Sequence, residues 1–410
     1  GGAIRIEAGQ AVLNGTVSAN GALGRDYGGA GSGGSVWLTC ASLAATGGVI
    51  QANGGRPNDP NSGHGGGGRI AIHCASPDAN LQLRCYAYPG IGTGLPGTEQ
   101  GTYGQMGTLY LSDVSLLNVS LGLCSGVRLA LPVITNHWIA PSPLVIPSNT
   151  WVVLSESNFT FEAAGDVTVA KGAKVWIGST GFDTEPVYSG NPGVTNEIRM
   201  IVGGSFWNEG TVTLAGLTNT RPVFMEVDGA LTLTNGARLV VFAGPTNDWR
   251  SLLDGGGRIT VLGDTLLTGN SWIWVYTHQV SGSTVVFDMT NLTVAAGAGF
   301  NADEKGYSWI STTVQYGPTN TVGQTVGYAV SGAGHGGKGG VGYQAPATVA
   351  AEGTTNDFAL APLMPGTPGG NGHPDSPARP GGGALRIHAA AVRLDGTLTA
   401  NGGGPPTSTY

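Results

Sequence analysis

A short segment with a fixed layout returns along this chain. Gly33 to Ser42 reads GGSVWLTCAS and Gly67 to Ser76 reads GGRIAIHCAS, a spacing of 67 − 33 = 34 residues, and Gly1 to Ala8, GGAIRIEA, is a third copy. Each copy opens on a glycine pair and continues with apolar residues at alternate positions: Ile4 and Ile6, Val36 and Leu38, Ile70 and Ile72. Alternation with period two is the pattern of a strand that buries one face. A second short strand follows, and then Ala-Asn-Gly at 19–21, 52–54 and 400–402. Asn and Gly tolerate positive φ, so the tripeptide reads as a corner. Short strands joined by corners and repeated at about 20 to 35 residues stack most simply as a parallel β-helix, each coil covering the apolar face of the next. The expected fold class is all-β, a parallel β-helical solenoid, with the corner asparagines stacked in a ladder along its axis.

A second, longer period overlies the first. Gly382 to Gly402, GGALRIHAAAVRLDGTLTANG, aligns without a gap on Gly1 to Gly21, GGAIRIEAGQAVLNGTVSANG, at 382 − 1 = 381 residues. Long-period self-similarity marks an array, and arrays are more often scaffolds than single catalytic units. The chain divides accordingly into Gly-rich coils at 1–126, a β-rich stretch at 127–300, a Gly/Pro-rich region at 301–381, and the start of the next repeat at 382–410, equivalent to 1–29. The 127–300 stretch has less glycine and keeps the alternation, as in GALTLTNGARLVVFAG (229–244), which fits a continuing solenoid better than an inserted β-sandwich. Three glycine-rich stretches, 24–34, 54–68 and 332–383, are too long for corners and are expected to project as loops. With about 20–25 residues per coil and ~4.8 Å per coil, one period would hold roughly 15–19 coils and extend about 70–90 Å.

Composition narrows the classes. Glycine is 73 of 410 residues and only 10 % of residues are charged, against about 25 % in an average globular protein. A G-X-Y period is absent, which excludes collagen, and the 40 % hydrophobic content excludes plain disorder. The formal net charge is −7, and the lysines are Lys171, Lys174, Lys305 and Lys338. Without a basic run, nucleic acid is not an expected partner. No apolar stretch is long enough for a membrane helix, so no membrane span is expected. The chain starts at Gly1 without Met or signal peptide, as a processed product or an excised segment would. Low charge, few lysines, abundant Gly, Ser, Thr and Asn, and an even number of cysteines together suggest an extracellular or cell-surface location.

The segments at 1–21, 31–55, 65–73, 302–307 (ADEKGY) and 334–340 (GHGGKGG) resemble very large, Gly-rich, repetitive bacterial surface proteins with parallel β-helix folds, similar in style to filamentous adhesins. The resemblance covers about a third of the chain and implies an architecture. It implies a structural or adhesive role, and it carries no catalytic residue onto this sequence.

Candidate chemistry is sparse. Cys40 and Cys74 hold equivalent positions in two aligned coils, where strands about 4.8 Å apart lie within the Cα range that a disulfide spans. A cross-coil bridge and a ladder of two buried thiols both fit. Cys85 and Cys124 could form a second pair. Gly63-His64-Gly65 and Gly334-His335-Gly336 match the Gly-His-Gly of polygalacturonases. That family's Asn-Thr-Asp, Asp-Asp and Arg-Ile-Lys are missing, and with them the carboxylate pair of glycoside hydrolysis. No catalytic residue and no enzymatic activity is therefore expected. His64 with Asp59, and His373 with Asp375, sit in loops that could converge on a cation, but their spacing matches no zinc or calcium motif, and neither a metal nor a cofactor is expected. No Gly-rich loop continues into Lys-Ser or Lys-Thr, which argues against a phosphate loop. Trp272, Trp274 and Tyr276 alternate on one strand and so share a face. Facing outward they would form a strip able to contact sugar rings; facing inward they would be core, the commoner outcome. Asn14, Asn118, Asn158 and Asn291 begin glycosylation sequons, which matter only in a glycosylating host.

Neither end of the sequence reads as a cap, and an uncapped solenoid invites further stacking. The expected function is a structural module of an extracellular fibre or giant surface protein, self-associating through tandem or end-to-end copies. The alternatives are a carbohydrate-binding adhesin module with surface glycans as partners and, further off, a β-helical polysaccharide-degrading enzyme. A lyase would need clustered Lys, Arg and Asp, which the lysine shortage disfavours.

Overall fold

The computed structural model describes residues 1–25, 28–58, 62–90, 104–113, 116, 124–130, 137–148, 150–154, 159–178, 198–215, 222–245, 256–307, 309–311, 314–315, 317–318, 320, 322–326, 329–344, 348–355, 363–370 and 380–403. Among the described residues the regular elements of two or more residues are all β-strands. Among the described residues no helix is long and apolar enough to cross a membrane. Contacts divide the chain into two compact units, Gly1–Glu185 with Glu209–Val212, and Pro186–Asn208 with Thr213–Tyr410.

In the first unit the expected strands form where the alternation predicts them, and they pair in parallel. Ala3–Val12, Ser35–Ala44, Arg69–Pro77, Gly107–Leu111, Val127–Ala130, Trp151–Leu154 and Lys174–Gly178 follow one another in a single sheet in chain order. The short second strands Thr16–Ser18, Val49–Gln51, Arg84–Tyr86 and Cys124–Ser125 form another parallel sheet. Register keeps like beside like. Ile4, Val36, Ile70, Leu109, Leu129, Leu154 and Ile177 are successive partners in one aliphatic row. Val36, Ile70 and Leu109 in that row are 2 % exposed or less. A buried aliphatic side chain contributes about 1.5–3 kcal/mol, so this row is a main source of stability. The parallel pairing crosses position 126/127 without interruption, through the 107–111, 127–130 and 151–154 strands.

The second unit repeats the scheme. Ile198–Val202, Val223–Val227, Gly257–Leu267, Val285–Val294 and Arg386–Leu394 are parallel neighbours, with Met200, Met225, Ile259, Phe287 and Ile387 as one inner row. Arg238–Phe242, Trp272–Tyr276, Gly299–Asn301 and Thr397–Thr399 form a second parallel set with Leu239, Ile273, Phe300 and Leu398 in register. Phe287 and Phe300 meet edge to face at 5.3 Å between ring centroids and join the two sets across the core. The strand at 386–394 pairs directly with 285–294, although the Asp288–His388 contact spans 100 residues of sequence. Most of 302–385 is thus an insertion between neighbouring strands. It holds short antiparallel pairs, Trp309–Ser311 with Val314–Gln315, Thr325–Val326 with Ala329–Val330, and Gly342–Gln344 with Thr348–Ala350.

Three expectations need correcting. Gly21 and Gly54 do not take positive φ at the Ala-Asn-Gly corners. They are glycines because a Cβ would run into the carbonyls of Gly31 and Gly65. The corner asparagines bond along the stack to backbone groups and not amide to amide: Asn20 Oδ1 accepts from the Asn53 N–H at 2.8 Å, and Asn53 Oδ1 from the Tyr88 N–H at 2.9 Å. Second, the glycine-rich stretches of the first unit are packed against one another. Gly21, Gly24, Ala30 and Gly33 donate backbone bonds to Asn53, Arg56, Gly63 and Gly66. Within the first stretch Gly28 N–H donates to the Arg25 carbonyl and Gly31 N–H to the Ala22 carbonyl, so its backbone groups are paired both internally and to the next stretch. Third, bonds between matching positions of successive strands span 32 to 37 residues early in the chain and 25 to 27 in several later places. The strand-to-strand repeat is therefore larger than the expected 20–25 residues in the first part of the chain and at or just above that range later.

Candidate functional site

The outward aromatic face of the second unit is the first candidate. Along Trp272–Tyr276, Ile273 and Val275 are fully buried while Trp272, Trp274 and Tyr276 are only partly exposed. The strip therefore lies on the outer face, not in the core. An apolar inner row already fills the interior, and alternation sends the larger rings outside.

What the strip offers a ligand is set by register. Partners on adjacent parallel strands lie about 4.8 Å apart, close to ring-stacking distance. Tyr276 sits 4.2 Å from the Phe242 ring, and Lys305 Nζ lies 4.3 Å from the Tyr276 centroid. Arg238 Cζ lies 5.7 Å from the Trp274 centroid. Trp272 leans over Gly299, where a Cβ would approach its Cζ3 to 2.7 Å. The first unit uses the same device: Arg5, Trp37, His73 and Tyr110 stack in sequence at 6.0, 4.8 and 5.0 Å. Trp151 is capped by Lys174 at 4.6 Å. Rings and cations thus cover one another's faces along the strand ladder, leaving mainly edges and charges toward solvent. Each cation–π contact contributes about 0.5–1 kcal/mol at such exposed sites. A sugar that stacked on Tyr276 would have to displace Lys305.

Outward positions also carry charged and polar pairs between adjacent strands: in the first unit a His137–Glu162 contact at 2.7 Å, and in the second Arg199–Glu226 at 3.3 Å and Asp288 between Arg258 at 3.3 Å and His388 at 2.8 Å. All are partly exposed, so each contributes about 0–1 kcal/mol and mainly favours the correct register.

Sequence reading missed a buried polar knot at 278–283. His278 is 6 % exposed, and its Nδ1 accepts from the Ser281 N–H at 3.0 Å and lies 2.9 Å from Ser281 Oγ. Ser281 Oγ is 3.0 Å from Ser283 Oγ, which donates to the Gly244 carbonyl at 2.5 Å. Burial pushes the His278 pKa down to about 4, so the ring is neutral at pH 7. A serine beside a neutral imidazole is half of a nucleophile-and-base pair. Here, however, Nδ1 is engaged by the turn's own backbone N–H. His278 N–H also donates to Ser283 O, and Gly282 N–H to His278 O, both at 2.8 Å. The knot closes a turn; His278 in HQVSGS was its only trace in the sequence.

The cysteines meet in pairs. Cys40 is the register partner of Cys74, and Cys85 that of Cys124. All four are buried, and in this structure all four are free thiols. Burial, followed by the charge and hydrogen bond of Cys74, pushes the Cys40 thiol up to about 12. The hydrogen bond to Cys124, with burial, pushes Cys85 well above its ordinary value.

The remaining sequence candidates fall partly outside the described residues. His64 and His335 are partly buried within the glycine-rich packing. Asp59, His373 and Asp375 lie outside the described residues, and among the described residues no group of three His, Cys, Asp or Glu side chains could hold a metal ion. Of the sequon asparagines, Asn14 accepts from Thr46 N–H at 2.9 Å and Asn291 donates to Asp264 at 2.8 Å. Asn118 and Asn158 lie outside the described residues. Comparison with protein-family models, with curated proteins and with solved structures gives no match.

Proposed function

We propose that the chain folds as a parallel β-helix and serves as a structural module of an extracellular fibre or giant surface protein, built from copies of the 381-residue repeat. One observation carries the reading. The repeated segment is used on both of its edges: at 3–12 its strand pairs with the following strand 35–44, and at 386–394 with the preceding strand 285–294. A sequence that bonds forward in one copy and backward in the other suits continuation from repeat to repeat. The close-packed glycines and covered aromatic faces also favour a stiff scaffold over a binding groove.

The test is electron microscopy of the native, undenatured material. Filaments with an axial period of tens of ångströms are the expected result. Isolated short particles at all concentrations would overturn it. The second reading, a carbohydrate-binding adhesin module, draws on the outward Trp272, Trp274 and Tyr276 and on Trp37 and Trp207, each 45 % exposed. Retention on immobilised glycans that is lost on W274A would favour it.

A further inference from the structure

We propose that the two cysteine pairs are disulfide sites, Cys40–Cys74 and Cys85–Cys124, each stapling consecutive strands of the first unit. The chain has four cysteines, and each faces another in register on a neighbouring parallel strand. Rows elsewhere on these inner faces are filled by alanine, valine and isoleucine: Ala8 precedes Cys40, and Val17 and Ile50 precede Cys85. Packing alone therefore does not call for sulfur, still less for two adjacent sulfurs in two separate rows. Parallel strands about 4.8 Å apart put partner Cα atoms inside the 4.4–6.8 Å range of a disulfide. Both pairs are 6 % exposed or less, so each bond, once formed, is shielded from reductant.

The oxidant is a disulfide of small-molecule or protein type. The thiolate of one cysteine attacks it, forming a mixed disulfide and releasing one thiol. The second cysteine displaces the other half as a second thiol, so two protein thiols and one oxidant disulfide become one protein disulfide and two oxidant thiols. All four thiols are buried, and the raised pKa of Cys40 and of Cys85 keeps those two protonated at neutral pH, so exchange belongs to the stage before the strands close.

The experiment folds the full chain from denaturant in a glutathione redox buffer, with a parallel sample in phosphine reductant. Unfolding without reductant, iodoacetamide treatment and mass spectrometry then count free thiols. The expected product has lost four hydrogen atoms, takes up no label, and yields 40–74 and 85–124 linked peptides. The oxidised form melts about 5–10 °C above the reduced form. Four labelled thiols, or linkage between the pairs such as 40–85, overturns the proposal. The variants C40A/C74A and C85A/C124A are each expected to keep the other linkage. This outcome is independent of filament formation, so either proposal can fail alone.

Discussion

The glycines of this chain act through space more than through conformation. Gly68 has an ordinary φ, yet a Cβ there would overlap the Gly34 carbonyl and lie 2.7 Å from the Gly33 carbonyl carbon. Gly9, on an exposed strand position, has no heavy atom within 4 Å of the same point. G68A is therefore expected to destabilise by about 1–3 kcal/mol or more, because backbone must shift, while G9A stays within about 0.5 kcal/mol. Chemical denaturation of the two variants checks this, and equal effects would remove the close-packing argument. His278 gives a pH signature. Its folded pKa of about 4 lies below the ordinary 6.5, so between those values the unfolded chain binds more protons than the folded one. Stability should fall as pH drops from 6.5 toward 4, by about 3 kcal/mol in all, and level off below. Thermal melts across that range should show the slope, and H278Q should flatten it. The glycine pairs were visible in the sequence as a repeat, but the reason for them was not. A clash with a carbonyl some 30 residues away appears only once the strands are stacked.

At the scale of elements, register does most of the work. Period-two alternation located the strands at 3–12, 35–44 and 69–77, because burying one face is a local property of a strand. It could not say which face of Trp272–Tyr276 looks inward, since Ile273, Val275 and the three aromatics are all apolar enough to be core. The inner row of Leu239, Ile273 and Phe300 decided that. The insertion was legible as a composition shift but not as an insertion, because its two flanking strands, 285–294 and 386–394, are neighbours only in space. Tyr307 N–H donates to the Gly366 carbonyl at 3.1 Å, so the two sides of the insertion already lie together near its base. Replacing 309–364 by a short Gly-Ser linker is expected to leave the β-sheet circular dichroism and the melting temperature within about 5 °C of the full chain. Loss of cooperative melting would mean that the insertion helps to build the sheet.

At the scale of the whole molecule, the filament images proposed above also measure the period. Strand repeats of 25 to 37 residues predict a value below the roughly 70–90 Å that short coils would give. The sequence by itself determined that the chain is all-β, where its strands begin, and that one segment recurs 381 residues on, because alternation and self-similarity are written in the order of residues. It also placed Cys40 beside Cys74, through the alignment of two copies of one motif. Only tertiary structure decided that the glycine-rich stretches pack together, that aromatic faces are covered by cations from adjacent strands, that His278 is buried, and that Cys85 meets Cys124. Those outcomes depend on which strands become neighbours and in what register. Both are fixed by the summed burial of many rows at once, and no single segment encodes that sum.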